Sequence, residues 1–323
     1  MIKRLSPLLC TILLSGCIIH VDSNAQVPHK ELTRSLSLAS NNLNQINIEN
    51  SAGNIIVSGH SDVDDITVTA NIITFENRSY TFTLEQSGDE ANLIAKHDPH
   101  VGVLWYPNKS PKIDIEVQVP SKLLVAVEDG SGAMAISNVK GVSIDDSSGH
   151  ITLNKISGKV QITDGSGAIT INDIKGHLSI DDDSGDIKIN AVSGNIEIED
   201  GSGDIDIENG AEVSIEDNSG DITIKHVTGS IKLDDGSGEI NVDGAQTLNV
   251  SDDSGDIKVK NIDGNVDIID GSGSIWVNRI QGHVVIEDSS GDINVSDSQQ
   301  LEIKDDSSGE VNVSNVRKVI EFD

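Results

Sequence analysis

The chain predicts an all-β protein: a parallel β-solenoid (β-helix) with two short strands in every 17–18-residue coil and a strand-rich N-terminal cap. Three observations carry this. A Ser-Gly pair recurs with its Gly at 132, 149, 167, 185, 203, 220, 238, 255, 273, 291 and 309, always 17 or 18 residues apart. Two and four residues after each Gly the side chain is apolar, from Met134 and Ile136 to Val311 and Val313. A second apolar pair follows about nine residues later in ten of the copies, for example Ile196/Ile198 and Val213/Ile215. Alternation at i, i+2 among β-branched residues is strand periodicity, and short runs bounded by Gly-rich turns are short strands. A fixed period of this length marks a solenoid.

Residues 1–16 form an export signal and are set apart from the fold. Lys3 and Arg4 make a basic start, residues 5–14 are mostly apolar, and Leu14-Ser15-Gly16-Cys17 follows. That word resembles the lipobox of bacterial lipoproteins, which implies cleavage before Cys17 and lipid on its sulfur. The apolar run is shorter than the roughly 20 residues that span a bilayer. Cys10 leaves with the signal, so the mature chain keeps Cys17 alone and has no disulfide framework. Ile18 follows Cys17 where an inner-membrane retention signal has Asp. By analogy with enterobacterial sorting, this implies an extracytoplasmic protein held at the outer membrane by its N-terminal lipid. Residues 17–30 are a short tether.

Residues 31–127 are expected to be irregular first coils and the N-terminal cap. Asn50-Ser51-Ala52-Gly53-Asn54-Ile55-Ile56-Val57 fits the repeat, so the solenoid begins near Ile46. Residues 80–84 and 113–119 alternate as strands, and Trp105 and Tyr106 lie between them. Residues 128–323 are the regular solenoid, with a C-terminal cap at 316–322 that closes the last coil, as terminal repeats do.

The composition alone is that of a disordered chain, with 2% aromatics and a net charge of −31. The apolar register excludes disorder. Stacked coils advance about 4.8 Å each, so eleven of them predict a rod roughly 50 Å long with an Ile/Val ladder between two sheets. Each buried Ile or Val contributes roughly 1.5–3 kcal/mol. A third apolar position, seven after the Gly (Val139, Ile156, Ile174, Val192, Val227, Ile262, Ile280), is expected to plug the far corner. The acidic surface repels nucleic acid and favours cations or partners with a basic surface.

Three residues before every repeat Gly stands Asp, and Ser always precedes the Gly. Asp at the start of a turn accepts backbone N–H groups two and three residues on, so Asp-x-Ser-Gly is first of all a turn. The residue between Asp and Ser alternates between Gly (130, 165, 201, 236, 271) and a polar residue (147, 183, 218, 253, 289), a period near 35. The turn does not account for the acids directly after the Gly, among them Asp186, Asp204, Asp221 and Glu239. Like charges stacked at coil spacing repel by roughly 0.9 kcal/mol per pair even in water. Carboxylates, Ser hydroxyls and carbonyls are oxygen ligands that suit Ca²⁺. The candidate metal residues are therefore Asp182, Asp186, Asp200, Asp204, Asp217, Asp221, Asp235 and Glu239. The nonapeptide β-roll, Gly-Gly-x-Gly-x-Asp-x-apolar-x, also packs two strands into 18 residues. This chain departs from it, having no Gly-Gly pair and an acid directly after the Gly.

Val119-Pro120 before a strand, then Gly132, then the recurring Ser-Gly-Asp-Ile-x-Ile and Gly-x-Ile-x-Ile half-coils resemble a bacterial family of β-strand-repeat envelope proteins, a "putative adhesin" domain of unknown function. The resemblance covers about residues 40–320. It implies the fold and supplies no catalytic residues.

A catalytic site needs side chains that depart from the repeat and converge. His150, His177, His226 and His283 fall at different places in the coil, and no Ser/His/Asp set stands out from the turn residues. Trp276 faces outward by strand parity and is a candidate for stacking on a sugar or partner side chain. The expected function is a lipid-anchored envelope β-solenoid acting as a structural or interaction (adhesin-like) protein without catalysis, with a carbohydrate or basic protein partner. The alternatives are a Ca²⁺-binding module like the β-roll and a polysaccharide-processing β-helix enzyme.

Overall fold

The computed structural model describes residues 13–14, 29–76, 78–98 and 110–321. Cys17, most of the signal and tether, Trp105, Tyr106 and Phe322 lie outside the described residues. The described chain contains strands and turns and no helix. It divides into two units, one ending at Gly149 and one beginning at His150.

In the second unit the repeat becomes two ladders of parallel strands. The first stacks Ile151–Ile156, Ile169–Ile174, Ile187–Val192, Ile205–Glu208, Ile222–Lys225, Ile240–Ala245 and Ile257–Ile262 in register. The second stacks Val160–Asp164, Leu178–Asp182, Asn195–Asp200, Glu212–Asp217, Ser230–Asp235, Thr247–Asp252 and Val266–Asp270. The 14-residue strands Ile275–Asp288 and Ile293–Asp306 run through the corner and serve both ladders. The residue two after each Gly forms a column of isoleucines from Ile151 through Ile205 to Ile293, and each of these is 0% exposed. The column four after the Gly is buried with it.

A strand alternates faces strictly, so the apolar residue seven after the Gly should point outward. It points inward because the residue before it is left-handed. Lys155, Asp173, Ala191, Asn209, His226, Asn261, Arg279 and Asp297 have φ between 54° and 61°, and Gly244 has 91°. That single αL residue shifts the parity and turns Ile156, Ile174, Val192, Val227, Ile262 and Ile280 into the core. The column recurs at the predicted positions, while the bend that makes it possible was not anticipated.

In the first unit Gln45–Asn50, Leu124–Asp129 and Gly141–Asp146 stack in parallel register, and Ile55–His60 pairs with Met134–Ser137. The insertion between them builds antiparallel additions. Lys112–Pro120 lies parallel to Ile55–His60 and antiparallel to Asp65–Phe75, which pairs in turn with His29–Ala39. Glu90–His97 lies parallel to Gln45–Asn50 and antiparallel to Tyr80–Ser87. Strict alternation along Asp65–Phe75 buries Ile66, Val68, Ala70 and Ile72.

The C-terminal end differs from expectation. Lys318–Glu321 adds in parallel to Gln300–Ile303, continuing the second ladder instead of folding over it. Val311, Val313 and Val319 are 38%, 38% and 40% exposed. Lys318–Glu321 is a strand of that ladder, and among the described residues nothing folds across the last coil.

Candidate functional site

The Asp-x-Ser-Gly corner holds two acid columns with opposite environments. In the second unit Asp182, Asp200, Asp217, Asp235, Asp252, Asp270 and Asp288 are 2–6% exposed. Each Oδ1 accepts the N–H of the Ser two residues on, at 2.9–3.2 Å. Each Oδ2 is buried with no hydrogen-bond partner. Desolvation, the main cause, and the carboxyls of neighbouring coils push Asp182, Asp235 and Asp270 up to about 7, against the opposing pull of the turn N–H bonds. Asp200 rises to about 6 for the same reasons. Burial likewise raises Asp217, Asp252 and Asp288.

The acids directly after the Gly point outward and cap backbone. The Oδ1 atoms of Asp204, Asp221, Asp256 and Asp292 accept the N–H of the equivalent residue one coil on, at 2.9–3.1 Å, and Asp186 does so at 3.5 Å. The Nδ1 of His150 takes the same role at 3.2 Å. At the opposite corner His177 Nδ1 and Asn265 Oδ1 accept N–H groups in the same way. These positions want an acceptor within reach of the next coil, which is why acids, Asn and His share them.

The period near 35 also has a structural cause. The hydroxyls of Ser184, Ser219 and Ser254 donate to the carbonyls of Gly165, Gly201 and Gly236 one coil back. A Cβ on Gly201, Gly236 or Gly271 would meet the carbonyl oxygen of the preceding coil at 2.4–2.6 Å. Coils with Gly before the Ser thus alternate with coils that can carry a side chain there.

The two outward faces of the second unit differ. Along the first ladder the outward rows carry Thr, Asn and Ser with six cations (Lys155, Lys188, Lys225, Lys258, Lys260, Arg279) and five acids (Asp173, Asp206, Glu208, Asp243, Asp297). The second ladder carries ten acids (Asp181, Glu197, Glu199, Glu212, Glu216, Asp234, Asp267, Glu287, Glu302, Asp305) against Lys232 and Lys304. Trp276 sits on the first face, 38% exposed, with Lys258 Nζ 5.3 Å from its ring centroid. Lys258 also pairs with Glu239 at 2.8 Å, and with Asn241 holds that carboxyl below its usual range. Trp276 stands between two shallow grooves. One, of about 470 Å³, is lined by Lys225, Asn241, Lys258, Lys260 and Asn278 among others. The other, of about 390 Å³, is lined by Asn278, Asn294, Ser296, Asn312 and Ser314 among others.

Residues 43–227 and 210–322 match the family described as Toastrack DUF4097. The chain belongs to that family. No curated protein matches it. Among solved structures, this Toastrack chain is similar to a "putative cell adhesion protein" from Clostridium sporogenes ATCC 15579, at 9% identity and a TM-score of 0.24, covering 91% of this chain and 100% of the other. A "putative adhesin" from Bacteroides fragilis NCTC 9343 gives 12% and 0.29, covering 92% and 100%. Another, from Parabacteroides merdae ATCC 43184, gives 12% and 0.19, covering 95% and 100%.

The Toastrack corner separates the eight candidate metal residues into two sets. Asp182, Asp200, Asp217 and Asp235 are inside; Asp186, Asp204, Asp221 and Glu239 are outside. Among the described residues no three His, Cys, Asp or Glu side chains are grouped to hold a metal ion. Of the four histidines weighed as bases, His226 lies 3.8 Å from Glu208 and His283 lies 3.4 Å from Glu302, while His150 and His177 cap backbone. The buried position of the turn Asp was missed at the sequence level. Its signal was there: it stands two residues after the second apolar pair, in phase with the core.

Proposed function

We propose that this Toastrack chain is a lipid-anchored envelope β-solenoid that works by presenting a binding face and not by catalysis. The observation that carries the proposal is the contrast between its two outward faces. The face bearing Trp276 is nearly charge-balanced and rich in Asn, Thr and Ser amides and hydroxyls, whereas the other is strongly acidic. A flat array of amides and hydroxyls beside an exposed aromatic suits a hydroxyl-rich polymer such as a polysaccharide, with a sugar stacked on the indole. The grooves on both sides of Trp276 give an extended chain a path across the strands. Anchoring through Cys17 would hold this face at the outer membrane.

Trp276 and Trp105 are the two tryptophans, so in a Trp105→Phe background the fluorescence reports on Trp276. Titration with envelope polysaccharides should shift that emission saturably, and Trp276→Ala should abolish binding while leaving the melting temperature unchanged. Binding that persists at full strength in Trp276→Ala would remove the saccharide reading. Protease digestion of intact cells tests exposure at the cell surface.

A further inference from the structure

The turn and the binding face leave the interior acid column of the second unit unexplained. Asp182, Asp200, Asp217, Asp235, Asp252, Asp270 and Asp288 stack in register on successive coils. Each satisfies one carboxyl oxygen within its own turn and leaves Oδ2 buried without a partner. A fully ionised column would hold seven desolvated negative charges about one coil spacing apart. The titratable groups around it are also acidic. Asp164 stacks next to Asp182 and Asp306 next to Asp288 at its two ends. Asp181, Glu199, Glu216 and Asp234 are its outward-facing neighbours on the same strands, Asp183 and Asp253 are in its turns, and Asp204, just ahead of the next strand, acts on Asp217. Burying an unpaired charge is costly, and such groups neutralise by taking up protons.

We propose that this column is a proton-binding site, in which buried carboxyls take a proton on the unpartnered Oδ2 and stand as neutral acids between ionised neighbours. Each proton comes from solvent and removes one of two like charges on adjacent coils. The steep rise of these carboxyls toward neutrality agrees with this arrangement. So does the first unit, where one coil has Asn50, 3% exposed, at the corner position that Asp129 and Asp146 hold in the next two. Its Nδ2 donates to the carbonyls of Gly53 and Ile113 at 3.3 and 3.2 Å. A neutral side chain with a hydrogen to donate is therefore accommodated at that corner.

The proposal makes folding take up protons. A carboxyl raised in the folded state binds protons that the unfolded chain has already released, so stability is full below the ordinary carboxylate pKa and is lost as pH rises through about 7. The protein should melt higher at pH 5 than at pH 8, and its folded state should show the infrared C=O stretch of protonated carboxyl at pH 6. Replacing alternate rungs (Asp182→Asn, Asp217→Asn, Asp252→Asn) should raise the melting temperature at pH 8 and flatten its pH dependence. The outward control Asp181→Asn, Glu216→Gln, Asp234→Asn, which removes the same charge, should keep the slope. If the triple variant does not fold, the single Asp217→Asn and the wild-type spectrum carry the test. Absence of the protonated band at pH 6 overturns the proposal, as does an equal slope in column and control variants. Stabilisation at pH 8 by one particular cation, without proton uptake, would show that the column binds metal and would overturn it too.

Discussion

A Cβ placed on Gly203 would lie 2.0 Å from the carbonyl oxygen of Gly185, one coil back. Gly203 also has φ of +145°, a backbone state that L side chains rarely adopt. The repeat Gly is thus required twice, by its own turn and by the coil beneath it. We predict that Gly203→Ala costs about 3 kcal/mol or more in urea unfolding, because the obstacle is the backbone of the preceding coil, which cannot rotate away. A loss under about 1 kcal/mol would contradict this stacking.

Neighbouring residues on one strand should respond oppositely. Ile205 is fully buried and Asp206 is exposed. Ile205→Asp should cost several kcal/mol, of order 3–5, by placing an unpaired carboxyl in the ladder. Asp206→Asn should stay within about 0.5 kcal/mol. Equal losses at the two sites in a denaturant series would mean that the parity is wrong.

The left-handed column makes a gain-of-stability prediction. Ala191 occupies it at φ 60° and is exposed. Asn tolerates αL better than Ala, so Ala191→Asn should raise stability by about 0.5–1 kcal/mol. A rise in melting temperature checks it, and a fall would show that the bend does not depend on this residue.

Outward acids should behave as hydrogen-bond acceptors first. Asp204→Ala removes the acceptor for Asp221 N–H and should cost about 1 kcal/mol, whereas Asp204→Asn keeps an acceptor and relieves repulsion, so it should be near neutral. Calcium at matched ionic strength should stabilise slightly more than NaCl. That excess should shrink in Asp186→Asn/Asp204→Asn/Asp221→Asn, since ligand bound only to the native state adds RT ln(1 + [L]/Kd) per site. Calcium and NaCl curves that coincide leave these acids as backbone caps alone.

The lipid anchor is tested by fractionation. Cys17→Ser should leave the protein unprocessed or released from membranes, and a variant that still sediments with membranes in high salt would exclude anchoring through Cys17.

Much of the fold was legible along the chain because a solenoid is quasi-one-dimensional. Each coil contacts only its neighbours, so period, strand parity and turn all repeat within 18 residues and can be read as local pattern. Of the candidate site, the outward position of Trp276 followed from the same parity. The αL residue before Ile174, Val192 and Ile262 was written as Asp173, Ala191 and Asn261. Because the residue type varies, its shared backbone angle did not show as a pattern.

By itself, then, the sequence determined the solenoid, its two strands per coil, its Ile and Val columns and the requirement for Gly at the turn. These follow from side-chain periodicity and backbone sterics, which are local. Only the tertiary structure decided what each acid faces. Asp200 and Asp204 are four residues apart in one acidic corner, yet one is buried under the neighbouring coils and the other caps the N–H of Asp221. The reason is that burial and hydrogen-bond partners at a corner come from the coils stacked on either side, and that surrounding exists only once they have stacked. The balanced face around Trp276 has the same origin, since Lys225, Lys258 and Lys260 are up to 35 residues apart in sequence and meet only across the ladder.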